Sequence, residues 1–131
     1  MFTLHRSTHF TIEYWQASRY VRLVRSSVPF SSPDEAAEAL QECELAIRDI
    51  DRANLGILLD WRLGPLSSDP KLHQFVIEHT DAFASRFVRR AVLVVTPVGM
   101  LQLDRVIRNL SSSKPILFND ESAAVDYVTS R

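Results

Sequence analysis

Apolar and polar residues alternate most clearly near the start of the chain. Across His9–Trp15, Phe10, Ile12 and Tyr14 alternate with Thr11, Glu13 and Trp15, a period of two that predicts a strand. The polar break Gln16-Ala17-Ser18 leads into RYVRLVR (19–25), a second strand with Val21 and Leu23 on one face. So short a connection joins antiparallel neighbours, hence a hairpin. The period then lengthens. Ala36, Leu40, Cys43, Ile47 and Ile50 follow at steps of four and three, one apolar face of a helix. Ser32 as N-cap, Pro33 at N1 and Glu35 at N3 mark its start as a capping box.

Beyond this helix, strand and helix patterns take turns. LGILLDW (55–61) is a third strand, whose unbroken Ile57-Leu58-Leu59 expects burial on both faces, as in a central parallel strand. A second helix opens at Asp69-Pro70 and is expected to turn Leu72, Phe75, Val76, His79, Phe83 and Phe87 inward. RAVLVVT (90–96) is a further apolar strand, Gly99 to Leu110 a third helix, and PILF (115–118) the last strand. Asn119 or Asp120 caps a final helix with Ala123, Ala124, Tyr127 and Val128. The order β-β-α-β-α-β-α-β-α predicts an α/β fold: an N-terminal hairpin, then a mostly parallel sheet covered by helices. Leu40, Ile47, Leu58, Val76, Val94 and Ile107 are the expected core.

Composition narrows the function classes. The 131 residues suit one domain, taken as 1–131, and 46% hydrophobic with 24% charged residues is ordinary for a soluble globular protein. A net charge of −1 gives no field that favours nucleic acid or an acidic membrane. No apolar run reaches the roughly 18–20 residues of a membrane span, and MFTLHRSTHFTIEYW does not read as a signal peptide, so a cytoplasmic location without membrane insertion is expected. Cys43 is the lone cysteine; it forms no internal disulfide and no zinc-type cluster, and its place on the first helix's apolar stripe marks a core residue. His73 and His79 do not share a helix face, so no metal is expected. With three glycines there is no phosphate loop and with it no nucleotide cofactor, and there is no G-x-S-x-G elbow. No catalytic residue and no cofactor are therefore assigned.

The C-terminal third reads RRAVLVVTPVG, then a helix, then KPILFNDESAAVDYV. An apolar strand preceded by arginines, followed by a strand running into a helix that opens Asp-Glu-x-Ala-Ala, resembles the STAS-like fold of the anti-sigma-factor antagonists, in particular the SpoIIAA-like group. The resemblance covers nearly the whole chain. The opening hairpin separates it from a response-regulator receiver, which begins with a single strand and an acidic pair. The resemblance implies a non-enzymatic fold that meets a protein partner. The antagonists carry an Asp-Ser-x-Gly element after the third strand, whose serine a partner kinase phosphorylates. The corresponding stretch here, Asp60-Trp61-Arg62-Leu63-Gly64-Pro65-Leu66-Ser67-Ser68-Asp69, is longer and does not preserve that element.

This stretch is nonetheless the candidate site. It joins the carboxyl end of a strand to the amino end of a helix, the edge at which open α/β sheets bind. Asp60 is either an acid, base or cation-binding group or a structural carboxylate bonded to loop amides. Trp61 either stacks on a partner or wedges between sheet and helix. Ser67 and Ser68 are candidate phosphorylation sites, since a phosphate suits a helix amino end, or ordinary turn and capping residues. Arg62, Asp69, Thr96 and Gly99 complete the rim. Arg86, Arg89 and Arg90, with Arg105 and Arg108, form either an anion or partner patch or a solvated, acid-paired face.

The expected function is that of a non-enzymatic cytoplasmic regulatory or adaptor domain that binds a protein partner at this rim; a homodimer is one form such contact takes. The alternative is a small apolar or lipid-like ligand held there. A weaker reading is an enzyme using Asp60 as a base. A closed apolar pocket above Trp61 favours a ligand, and a flat or convex surface favours a protein.

Overall fold

The computed structural model describes residues 1–65, 69–96, 101 and 115–130. They form a six-stranded sheet in the order β1-β2-β3-β4-β5-β6. The strands are β1 (Phe2–Arg6), β2 (Phe10–Trp15), β3 (Tyr20–Arg25), β4 (Gly56–Asp60), β5 (Arg89–Leu93) and β6 (Ile116–Phe118). The described helices are α1 (Pro33–Ala46), α2 (Pro70–Ala84) and α3 (Glu121–Thr129), with a 3₁₀ turn at Arg52–Asn54. β1, β2 and β3 pair antiparallel, and β3 to β6 pair parallel. The hairpin and the alternating α/β order after it stand as the sequence pattern predicted. The helix expected from Gly99 to Leu110 lies outside the described residues.

The pattern missed β1. This strand lies at the sheet's edge with only His5 and Leu4 half-buried, and its pairing with β2 shifts register between Thr3 and His5. Edge position and a register break leave little of the alternation that a half-buried strand shows.

Residue parity assigns each strand's side chains to one of two layers. Phe10, Ile12, Val21, Leu23, Ile57, Leu59 and Val92 meet α1 and α2 in the larger core. Tyr20, Leu58, Ala91 and Leu93 meet Ala124 and Val128 of α3 in the smaller one. β4 is buried along its whole length because it is covered on both faces. Of the expected core, Leu40, Ile47, Leu58, Val76 and Val94 are buried, and Ile107 lies outside the described residues.

The caps explain where the helices begin. The Glu35 N–H donates to Ser32 Oγ at 3.2 Å, and the Glu35 carboxylate accepts from the Ser31 N–H at 3.0 Å. The reciprocal half of the capping box is thus shifted back by one residue. Asp69 accepts from the Lys71 N–H, and Asp120 from the Ser122 N–H. Along α2, Val76, Ile77, Thr80 and Phe83 point inward. His79 does not: it is exposed, stacked on Phe75 with ring centroids 3.9 Å apart and bonded to the Phe75 carbonyl. Ile77 and Thr80 occupy the inner face that the spacing had given to His79.

The register aligns Val24, Asp60, Leu93 and Phe118 across the carboxyl edge of the parallel strands. The loops leaving this edge carry the candidate site.

Candidate functional site

Asp60 ends β4 on the α3 face, 5% exposed. Its Oδ1 accepts from Arg62 Nε at 3.0 Å and from the Arg62 backbone N–H at 3.2 Å; its Oδ2 accepts from Arg62 Nη2 at 2.8 Å. Arg22, inside the neighbouring β3, reaches the same carboxylate at 3.9 Å and donates to Glu121 Oε1 at 2.7 Å. Glu121 opens α3 and also accepts from Arg62 Nη1 at 3.4 Å. Two arginines and two carboxylates thus tie β3, β4 and α3 together at the rim with no excess charge. The hydrogen bond from Arg22 lowers the Glu121 pKa from its usual value, and bonding to Asp60 raises that of Arg62. Both oxygens of Asp60 are engaged by Arg62, which ties the loop after β4 back onto the strand end.

Trp61, the next residue, turns to the other layer. It is half-buried against the larger core and tilted on Phe10, with ring centroids 6.1 Å apart. Gly64 folds back over it: a Cβ there would lie 2.8 Å from Trp61 Cδ1 and 3.4 Å from Arg25 Cγ, so the turn requires a residue without a side chain. Beside Trp61 opens a cleft of about 310 Å³, walled by Pro29, Phe30, Pro65, Leu72 and Val76, with Arg25, Asp69 and His73 as its charged or ionisable members. The cleft is neither the closed pocket nor the flat surface anticipated for the two readings. It is half-open, bounded by the loop before α1, the loop after β4 and the start of α2.

Arg25 is 3% exposed and lies over Phe30, its guanidinium carbon 4.2 Å from the ring centroid. Its Nη1 donates to the Ser26 carbonyl at 3.0 Å. No carboxylate among the described residues forms an ion pair with it, and burial lowers its pKa to about 10. Burial also lowers the pKa of His73, which keeps that ring neutral at pH 7.

The structure therefore divides the sequence-derived site between two faces. Asp60 and Arg62 belong to the network on the α3 face. Trp61 and Asp69 line the cleft on the α1–α2 face. Thr96 is exposed beyond β5, while Ser67, Ser68 and Gly99 lie outside the described residues. Sequence reasoning missed Arg22, Glu121, Arg25, Phe30 and His73 as members. For Arg25 a signal existed. It shares parity with Val21 and Leu23, so it is a charge on an apolar strand face, a position rarely filled without a reason. Of the arginines expected to cluster before β5, Arg89 and Arg90 are engaged within the fold, Arg86 is exposed, and Arg105 and Arg108 lie outside the described residues. Arg90 is buried and bonds Asp81 at 3.1 Å, and Arg89 donates to the Ser130 carbonyl. Cys43 is fully buried, its thiol pKa pushed up to about 12, which makes it an inert core residue.

No family model matches this sequence, and no curated protein does. Among solved structures, the chain is similar to an uncharacterized protein of the DUF3478 family with a SpoIIAA-like fold from Shewanella loihica PV-4. The two are 16% identical and superpose with a TM-score of 0.62 over 95% of this chain and 98% of that one. The chain has a SpoIIAA-like fold, as the C-terminal motifs and opening hairpin implied. No described helix is long and apolar enough to cross a membrane.

Proposed function

We propose that the protein is a non-enzymatic cytoplasmic regulatory or adaptor domain that binds a protein partner through the carboxyl edge of its parallel strands. The observation that carries this reading is the pair of exposed apolar residues on adjacent loops there. Leu63, after β4, is 64% exposed, and Val95, after β5, is 60% exposed. Large apolar side chains standing out from a polar rim are what a docking surface presents. Trp61, Arg62, Asp69 and Thr96 belong to the same carboxyl-edge segments, and Ser67, Ser68 and Gly99, outside the described residues, are near them in sequence. The engagement of Asp60 by Arg62 supports recognition over catalysis, because a general base needs a free lone pair within reach of its substrate. A phosphate on Ser67 or Ser68 would add charge beside the amino end of α2, where it is tolerated, and so regulate binding without unfolding the domain.

The test is photo-crosslinking in the native host, with the reactive group at Leu63 in one variant and at Val88 in another. Val88 is equally exposed (60%) but precedes β5, at the opposite edge of the sheet. One discrete adduct from Leu63 and none from Val88 is expected; the reverse pattern would refute the rim.

A second reading, a small ligand, is favoured by the half-open cleft beside Trp61.

A further inference from the structure

We propose that the cleft between the loop before α1 and the start of α2 binds a small carboxylate-bearing molecule with an apolar body, with Arg25 receiving the carboxylate. The inference rests on the small-ligand reading and adds the chemistry of its ligand.

Arg25 is the observation that carries the proposal. Burying a guanidinium is costly unless an acid compensates it. Elsewhere in this fold that compensation is present: buried Arg52 bonds Glu44 at 2.6 Å, and buried Arg90 bonds Asp81. Arg25 is as buried as either and has aromatic rings and backbone carbonyls instead. Its bonds all leave from Nη1, to Ser26 and to the His9 carbonyl. No described residue accepts from Nε or Nη2. These two donors form the fork that matches a carboxylate's two oxygens. Packing on Phe30 and the Nη1 bond to the Ser26 carbonyl already hold the guanidinium, so little freedom is lost on binding.

The remaining walls set the rest of the ligand. Pro29, Phe30, Trp61, Leu72 and Val76 are apolar, and His73 is neutral at pH 7. Among the described residues lining the cleft, Asp69 is the acid; its carboxylate caps α2 through the Lys71 N–H and forms no ion pair with Arg25. A ligand's negative charge therefore belongs at Arg25 alone, which fits a monocarboxylate and not a phosphate with its second charge. About 310 Å³ corresponds to roughly ten water volumes, at about 30 Å³ each, room for a ring system or a short branched chain.

The test is titration of the isotopically labelled protein, followed by NMR at Arg25 Nε–H and Trp61 Nε1–H. The probes are benzoate, 4-phenylbutyrate, 2-naphthoate and octanoate, each beside its neutral amide, with acetate and inorganic phosphate as controls. At least one carboxylate should bind saturably and at least tenfold tighter than its amide, moving both signals, while acetate and phosphate do not saturate. Arg25→Gln should erase the preference of carboxylate over amide. Should that variant fail to fold, Leu72→Trp, which fills the cleft and leaves Arg25 in place, should abolish binding of acid and amide together. Amides that bind as tightly as acids would overturn the role of Arg25 while leaving a small-ligand cleft. Saturable phosphate binding would overturn the carboxylate. No saturable binding by any acid or amide up to millimolar concentration would overturn the cleft itself.

Discussion

Asp60 and Arg62 are neighbours in sequence and partners in space, and each leaves a different remainder when removed. Asp60 is nearly fully buried, with the Arg22 side chain only 12% exposed beside it; the Arg62 side chain is 37% exposed. Removing the acid leaves Arg22 its 2.7 Å bond to Glu121 but frees the loop from β4, whereas removing Arg62 leaves a buried carboxylate with one backbone N–H and Arg22 at 3.9 Å. Asp60→Ala is expected to cost about 2–3 kcal/mol, and Arg62→Ala about 1–2 kcal/mol. Urea denaturation of the two variants measures the contrast. Glu121 gives the network a pH signature. Its pKa in the folded chain lies below the usual 4.5, chiefly through the Arg22 hydrogen bond. Its contribution is therefore complete above pH 4.5 and is lost as pH falls through the lower folded value. Glu121→Gln should flatten that acid limb of the stability curve and leave the curve's shape near neutrality unchanged. None of this network was legible in the sequence beyond Asp60 and Arg62. Arg22 and Glu121 belong to distant elements, and nothing local in either one's surroundings announces the other. What could be read was the parity of Asp60 and Arg62, which sends both to the face opposite Trp61.

At the scale of elements, the contact between β4 and α3 is set by one glycine. A Cβ on Gly56 would overlap the Val128 carbonyl oxygen and approach Val128 Cβ to 2.8 Å. The obstacle is backbone, which a rotamer change cannot relieve. Gly56→Ala is expected to destabilise by about 1–3 kcal/mol, and Ser32→Ala, which removes the α1 cap, by about 1 kcal/mol; thermal or urea melts check both. The elements that the sequence made legible are those with strong local signals: the alternation of β2 and β3, the Ser32 and Asp120 caps, and the apolar run of β4. β1 lacked such a signal because an edge strand buries so little. His79 was misplaced because steps of three and four along α2 are met as well by Ile77, Thr80 and Phe83, which do face inward.

For the whole molecule, the sheet covered on both faces is a rigid base, and loops at its carboxyl edge can vary without disturbing it. Leu58, fully buried beneath α3, illustrates the base: Leu58→Ala should cost about 2–5 kcal/mol in urea denaturation. The candidate surface lies entirely above this layer. The central claim is that this edge is where a partner docks. Hydrogen exchange of the chain, alone and with the protein crosslinked through Leu63, tests it most directly, because the footprint is read along the whole backbone. The account predicts slowed exchange at Trp61–Gly64 and at Leu72 and His73, with Asn54, Leu55 and Val88 at the opposite edge unchanged. Protection confined to that opposite edge, with the loop after β4 exchanging as in the free protein, would contradict it.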